Sequence, residues 1–151
     1  MLSTEDVRKD LETGLNLQKD IESLKKRHAR AEYIAQGVSG GTREKTSDTK
    51  KKRKDEPLVR LSDIGLEIDE KSQDFLNVTH EIAKKIKYVS NVTHRSLLSD
   101  RYVACENWLD IAETMKLSSK YVQYQLCSHA ISDLTNALND RSEKIVINLT
   151  K

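Results

Sequence analysis

Apolar residues fall into two long helical stripes and a third region of shorter ones. From about Ser3 to Gln36 they stand at Val7, Leu11, Ile21, Leu24, Ala31 and Ala35, mostly three, four or seven apart, the spacing of one helix face. Ser3 and Thr4 precede Glu5 and Asp6, an N-cap followed by first-turn acids. Gly14 and Gln18 interrupt the stripe, so this helix reads as imperfect. From about Ser62 to Asn91 a second stripe runs through Ile64, Ile68, Phe75, Val78, Ile82, Ile86 and Val89, with Ser62 and Asp63 as start signals. Two such helices joined by a loop are expected to pair as an antiparallel hairpin or coiled coil, within the chain or across a dimer. Between them, Gly37 to Pro57 has almost no apolar residue and ends in the basic run Lys50, Lys51, Lys52, Arg53 and Lys54, which reads as a flexible linker.

Beyond Asn91 the elements shorten. One helix is expected over about Thr93 to Ala104. Asn107 then caps WLDIAETMK, and Ser118 caps a third helix that runs to about Asn139. In the second, Trp108, Ile111 and Ala112 share an inner face; in the third, Val122, Leu126, Ala130, Leu134 and Leu138 point inward. That leaves Ser119, Lys120, Gln123, Tyr124 and Cys127 outward, with Tyr121 at the margin. The tail, 140–151, contains the β-prone run Ile145 to Leu149 and is compatible with a short strand, a packed extension or a frayed end. The expected fold is all-α: a long helical hairpin or coiled coil followed by a C-terminal helix-turn-helix. Its divisions are an N-terminal helix (1–36), a basic linker (37–57), an association helix (58–91), the helix-turn-helix (92–139) and the tail.

Composition narrows the function. The 151 residues are 33% charged and 36% hydrophobic, with a single proline and a net charge of only +2, so charge placement matters more than its total. Two cysteines, Cys105 and Cys127, are too few for a disulfide scaffold and read as reduced thiols of a cytoplasmic protein. The opening MLSTEDVRKDLE lacks the apolar core of a signal peptide, and no membrane segment is expected. His28, His80, His94, His129 and the cysteines show no metal-ligand spacing, no nucleophile has an evident base, and no glycine loop cradles phosphate. No catalytic residue, metal, cofactor or small-molecule substrate is therefore expected.

The third region has the parts of a helix-turn-helix: a short positioning helix with a small residue for close approach, a tight turn, and a second helix with a polar outer face. From Ser118 to Ile131 there is no acid, which suits a helix facing phosphate. Gln bonds adenine edges, Lys bonds guanine or phosphate, and Ser and Tyr contact phosphate. The expected contacts to double-stranded DNA are Ser118, Ser119, Lys120, Tyr121, Gln123, Tyr124, Lys116 and Arg101, with Lys50 to Lys54 as further phosphate contacts. From His94 to Asp140 four basic residues face six acids, so extra affinity is expected from the linker, from Lys84, Lys85 and Lys87, or from a second subunit.

The string LLSDRYVACENWLDIAETMKLSSKYVQYQLCSHAISDL, Leu97 to Leu134, resembles the ArpU/RinA-like regulators of phages and prophages of Gram-positive bacteria. Their pattern is Leu-x-x-Arg-Tyr, a turn, Trp-x-x-Ile-Ala, a Ser-ended turn, and a Val-led helix with Ala eight positions on. Arg101, Tyr102, Trp108, Ile111, Ala112, Ser118, Val122 and Ala130 occupy those places. PLVRLSDIGLEIDEKSQDFLNVTHEI resembles the preceding helix of that group, so the likeness spans roughly Pro57 to Asn139. The helix-turn-helix itself is similar to region four of bacterial sigma factors. The resemblance implies a promoter-binding regulator that activates late or packaging genes of a phage or belongs to a mobile element's control circuit. A homodimer in the bacterial cytoplasm is expected because paired half-sites multiply affinity and specificity, with RNA polymerase as a further partner. The recognition helix here lacks the strong basic character of that group. Two rival readings are a DNA-packaging component resembling a small terminase subunit, and a protein-interaction module that binds RNA polymerase or a repressor.

Overall fold

The computed structural model describes residues 1–37 and 50–150, with side chains at all of these except 50–57. It is all-α, with no strand among the described residues. Helix α1 spans Thr4–Ala35, α2 Lys50–Ile86, α3 Val92–Tyr102 and α4 Trp108–Met115; a π-helical turn, Tyr121–Leu126, leads into α5, Cys127–Leu149. The chain divides into two compact units: Met1–Asn16 with Phe75–Lys151, and Leu17–Asp74.

The first unit holds one apolar core. Val7 and Leu11 of α1, Ile82 and Ile86 of α2, and the following Val89 are buried with Leu97, Leu98 and Tyr102 of α3, Ile111 and Ala112 of α4, and Val122, Leu126, Cys127, Ala130, Ile131 and Leu134 beyond. The helix-turn-helix therefore shares its core with turns of both long helices. Ser3 starts α1 with a reciprocal cap: its Oγ accepts from Asp6 N–H at 3.1 Å, and its own N–H donates to Asp6 Oδ2 at 3.1 Å. The Ser3 hydroxyl, which donates to Asp6 Oδ2 at 2.6 Å, and then the Ser3 N–H hold the Asp6 carboxyl below its ordinary value. Leu2 exchanges two hydrogen bonds with the Asn139 side chain, at 2.9 and 3.0 Å. Asp10 pairs with Lys85 at 2.6 Å.

Gly14, which interrupts the α1 stripe, lies buried where a Cβ would stand 3.5 Å from Thr79 Cγ2, 3.5 Å from the Tyr102 carbonyl and 3.6 Å from Ile82 Cδ1. The gap in apolar spacing is thus a place of close helix approach. Thr79, buried beside it, returns its hydroxyl to the Phe75 carbonyl at 2.8 Å, so that hydroxyl is not orphaned.

The second unit is a helical hairpin. Ile21 and Leu24 of α1 are buried, and Leu61, Ile64 and Ile68 of α2 are half-buried. Lys71 lies 3.6 Å from Asp20, and a Cβ on Gly65 would meet the His28 ring at 4.0 Å. Numbers rise on one helix as they fall on the other, so the pairing is antiparallel, as expected.

Two boundaries differ from expectation. Helix α2 begins at Lys50 rather than near Ser62, and so takes in the basic run assigned to the linker. Lys and Arg are good helix formers, so the basic run suits a helix. The remainder of the linker, 38–49, lies outside the described residues. At the other end α5 continues through Ile145–Leu149 and stops at Leu149, so the β-prone run is helical. An established helix adds each residue for one more hydrogen bond, and intrinsic strand preference is weak against that.

Candidate nucleic-acid interface

Local chemistry fixes each end of the three short helices. Asn91 starts α3, its Oδ1 accepting from Thr93 N–H at 3.0 Å and His94 N–H at 3.2 Å. After Tyr102 the chain turns back through Cys105, which sits in the left-handed region at φ 58°. Here Arg101 bridges the corner: Nη1 donates to the Glu106 carbonyl at 2.8 Å, and the guanidinium lies 4.6 Å from the centre of the Trp108 ring. Asn107 then caps α4, accepting from Asp110 N–H at 2.9 Å. Trp108 packs half-buried against the core while Ile111 and Ala112 are buried in it.

Helix α4 stops on Lys116, at φ 56° and ψ 40°. Lys116 N–H bonds the Glu113 carbonyl at 3.1 Å, and Leu117 N–H reaches back to the Ala112 carbonyl at 3.0 Å. This is a Schellman stop, with lysine where glycine is usual. Two residues on, Ser118 Oγ accepts from Tyr121 N–H at 3.3 Å and opens the next helix. These two devices aim the helix after Ser118 and leave its outer side open.

On that helix Val122 and Leu126 are buried, Lys120, Tyr121 and Tyr124 are exposed, and Ser119 and Gln123 are intermediate. Tyr124 is 67% exposed, against 41% for Tyr121. Ser118 and Lys116 are also exposed at its start. Arg101 stands apart, since its guanidinium is engaged within the corner. Lys84 and Lys85, expected to supplement phosphate binding, are already paired with Glu81 and Asp10, whereas Lys87 is exposed. The side chains of Lys50 to Lys54 lie outside the described residues.

Cys127 corrects the expected outward set. It is 1% exposed, with Sγ 3.6 Å from the Tyr102 hydroxyl in the core. The cause is the π turn: Cys127 N–H bonds the Val122 carbonyl five residues back, which adds a residue to that turn and advances the inward face. Burial raises the Cys127 thiol above its ordinary value and does the same to the Tyr102 phenol, so both stay neutral. The residues that sequence reasoning missed are Gln125, Ser128 and His129, all exposed on this helix. Four-residue spacing links Gln125 to Tyr121 and Ser128 to Tyr124, but it equally links the buried Cys127 to Gln123, so across the π turn it is no signal for them.

The described part of this surface carries Lys116, Lys120 and His129 and no carboxylate from Ser118 to Ile131. His94 is hydrogen-bonded to Asp133, which ties α3 to α5. Among the described residues no group of acids, histidines and cysteines is placed to hold a metal ion, and no helix is long and apolar enough to cross a membrane.

The family profile described as a protein of unknown function (DUF1492) matches residues 27–135, more than two thirds of the chain. No curated protein and no solved structure matches it.

Proposed function

The chain belongs to the DUF1492 family, and from that premise we propose that it is a sequence-specific DNA-binding transcription regulator, with the helix after Ser118 lying in the major groove. The observation that carries this reading is the open, acid-free side of that helix, bearing Lys120, Tyr121, Tyr124 and Gln125 and aimed by the Lys116 stop and the Ser118 cap. Lys120 and Gln123 supply hydrogen bonds to base edges or phosphate, and the tyrosines and serines bond phosphate. Arg101 acts at one remove, holding the turn that sets the two helices. The resemblance to ArpU/RinA-like regulators extends the reading to activation of phage late or packaging genes by a homodimer, since paired half-sites multiply specificity.

The test is selection of duplexes from a random pool followed by mobility-shift titration of the best sequence. Enrichment of a defined site, and loss of at least tenfold in affinity on Lys120→Ala and on Gln123→Ala, supports the reading. No enrichment, or unchanged binding in both variants, refutes it. One observation favours a second reading. The module from His94 to Asp140 has four basic residues against six acidic, and Leu109 of α4 is 71% exposed. Both suit a protein partner such as RNA polymerase or a repressor; binding to that partner without DNA affinity would select it.

A further inference from the structure

The outer face of α1 in the second unit carries a row of uncompensated cations. The inward side there is set by Leu17, Ile21, Leu24 and His28, all buried or half-buried. At about 100° per residue, Lys19, Lys26 and Arg30 fall on the opposite side, close to one line along the helix. All three are exposed, and none makes an ion pair with a described residue. Lys25 and Arg27, also exposed, lie about 120° and about 80° round the helix from the row. The acids of this stretch are placed differently. Asp20 is directed to Lys71 at 3.6 Å, Glu22 accepts from Gln18 at 3.4 Å, and Glu32 lies off the row. Five cations face three acids between Leu17 and Ala35, and the excess is on the outside.

We propose that this row, Lys19, Lys26 and Arg30, is a phosphate-binding strip for the backbone of duplex DNA. At a rise of about 1.5 Å per residue the three positions are about 10 and 6 Å apart, a strip of about 16 Å. Duplex DNA offers a negative charge every ~1.7 Å of its axis, so such a strip meets several phosphates at once. The chemistry of the row also separates DNA from a protein partner. Protein interfaces centre on apolar and aromatic residues and are poor in lysine, and from Lys19 to Arg30 this face carries only Ser23 and the flanking Glu22 between its cations. The strip adds to the DNA-binding reading above, on which it rests, the sequence-independent attraction that a module of four bases and six acids lacks.

The test is the salt dependence of binding to a random-sequence duplex between about 50 and 200 mM salt. The full-length chain is compared with the triple variant Lys19→Gln, Lys26→Gln, Arg30→Gln, and with a charge-matched control, Lys9→Gln, Arg60→Gln, Lys144→Gln, at exposed positions off the strip. Helicity by circular dichroism checks that each is folded. The expected result is that the slope of log K against log salt falls by about 2 to 3 in the triple variant and by less than about 1 in the control. An unchanged slope in the triple variant overturns the proposal, even if duplex selection still finds a preferred site. A changed oligomeric state with an unchanged slope also overturns it, and assigns the row to an acidic helix of a second copy. Should selection find no preferred site while the triple variant still lowers the slope, the strip stands and the groove-reading helix falls.

Discussion

The lysine that ends α4 separates backbone strain from charge in one residue. Lys116 holds φ 56° and ψ 40°, a conformation in which a Cβ crowds the following carbonyl. That crowding costs roughly 1–2 kcal/mol in any residue but glycine. Glycine escapes it but gives up about 0.5–1 kcal/mol of extra unfolded-state freedom. Lys116→Gly is therefore expected to stabilise the first unit by about 0.5–1 kcal/mol. Lys116→Ala keeps the strain and should stay within about 0.5 kcal/mol of the parent. For a unit of this size the glycine gain amounts to about 2–8 °C in Tm. Thermal and urea unfolding followed by the fluorescence of Trp108, the single tryptophan, reads this unit directly. The same pair of variants tests function. Both remove one cation from the edge of the proposed interface, so both should lower the salt slope of DNA binding by about 1, although their stabilities differ. A glycine variant no more stable than the alanine variant would refute the strain argument. A slope that follows stability instead of charge would refute the phosphate contact.

Gly14→Ala should be neutral or stabilising by up to about 1 kcal/mol, because the new methyl meets its neighbours at 3.5–3.6 Å and helix propensity improves. Gly14→Leu, forced against the Tyr102 carbonyl and Ile82, should cost about 1–3 kcal/mol in urea unfolding. Arg101→Ala should destabilise by about 2 kcal/mol through loss of the Glu106 hydrogen bond and the Trp108 stack, and Arg101→Lys should not restore it, as the shorter point charge cannot do both. The raised Cys127 and Tyr102 values give a pH dependence of definite sign. The fold favours their neutral forms, so their contribution is complete below the ordinary thiol value of 9.0 and is lost as pH climbs beyond it. Tm should fall above about pH 9, less steeply in Cys127→Ala, Tyr102→Phe, and in native protein a thiol reagent should leave Cys127 unmodified.

What the sequence disclosed depended on whether the deciding interaction was local. Asn107 and Ser118 cap the helices they precede, and Trp108, Ile111, Val122, Leu126, Ala130 and Leu134 sit on the core side, because caps and 3.6-residue stripes act over one or two turns. Cys127 escaped because one widened turn changed the phase of the stripe. The end of α4 near Lys116 was legible, but its left-handed backbone was not, because lysine carries no turn signal. The end of α5 escaped because strand preference was weighed without the helix already in place. The shared burial of Val7 and Leu11 with Ile131 and Leu134 had no local trace at all, being a pairing of residues far apart in the chain.

That last arrangement bears on how the molecule is made. Val7 and Leu11 leave the ribosome early, but the side chains that enclose them run on to Leu134. The module that carries the proposed DNA-facing helix cannot close during most of its own synthesis. The Leu17–Asp74 hairpin, in which Lys71 meets Asp20 and Gly65 lies by His28, can form first. Loop closure over so long a stretch slows folding and leaves apolar turns uncovered meanwhile. Nascent chains halted before Leu134 should therefore be open to protease at the start of α1, however well formed the hairpin that follows it.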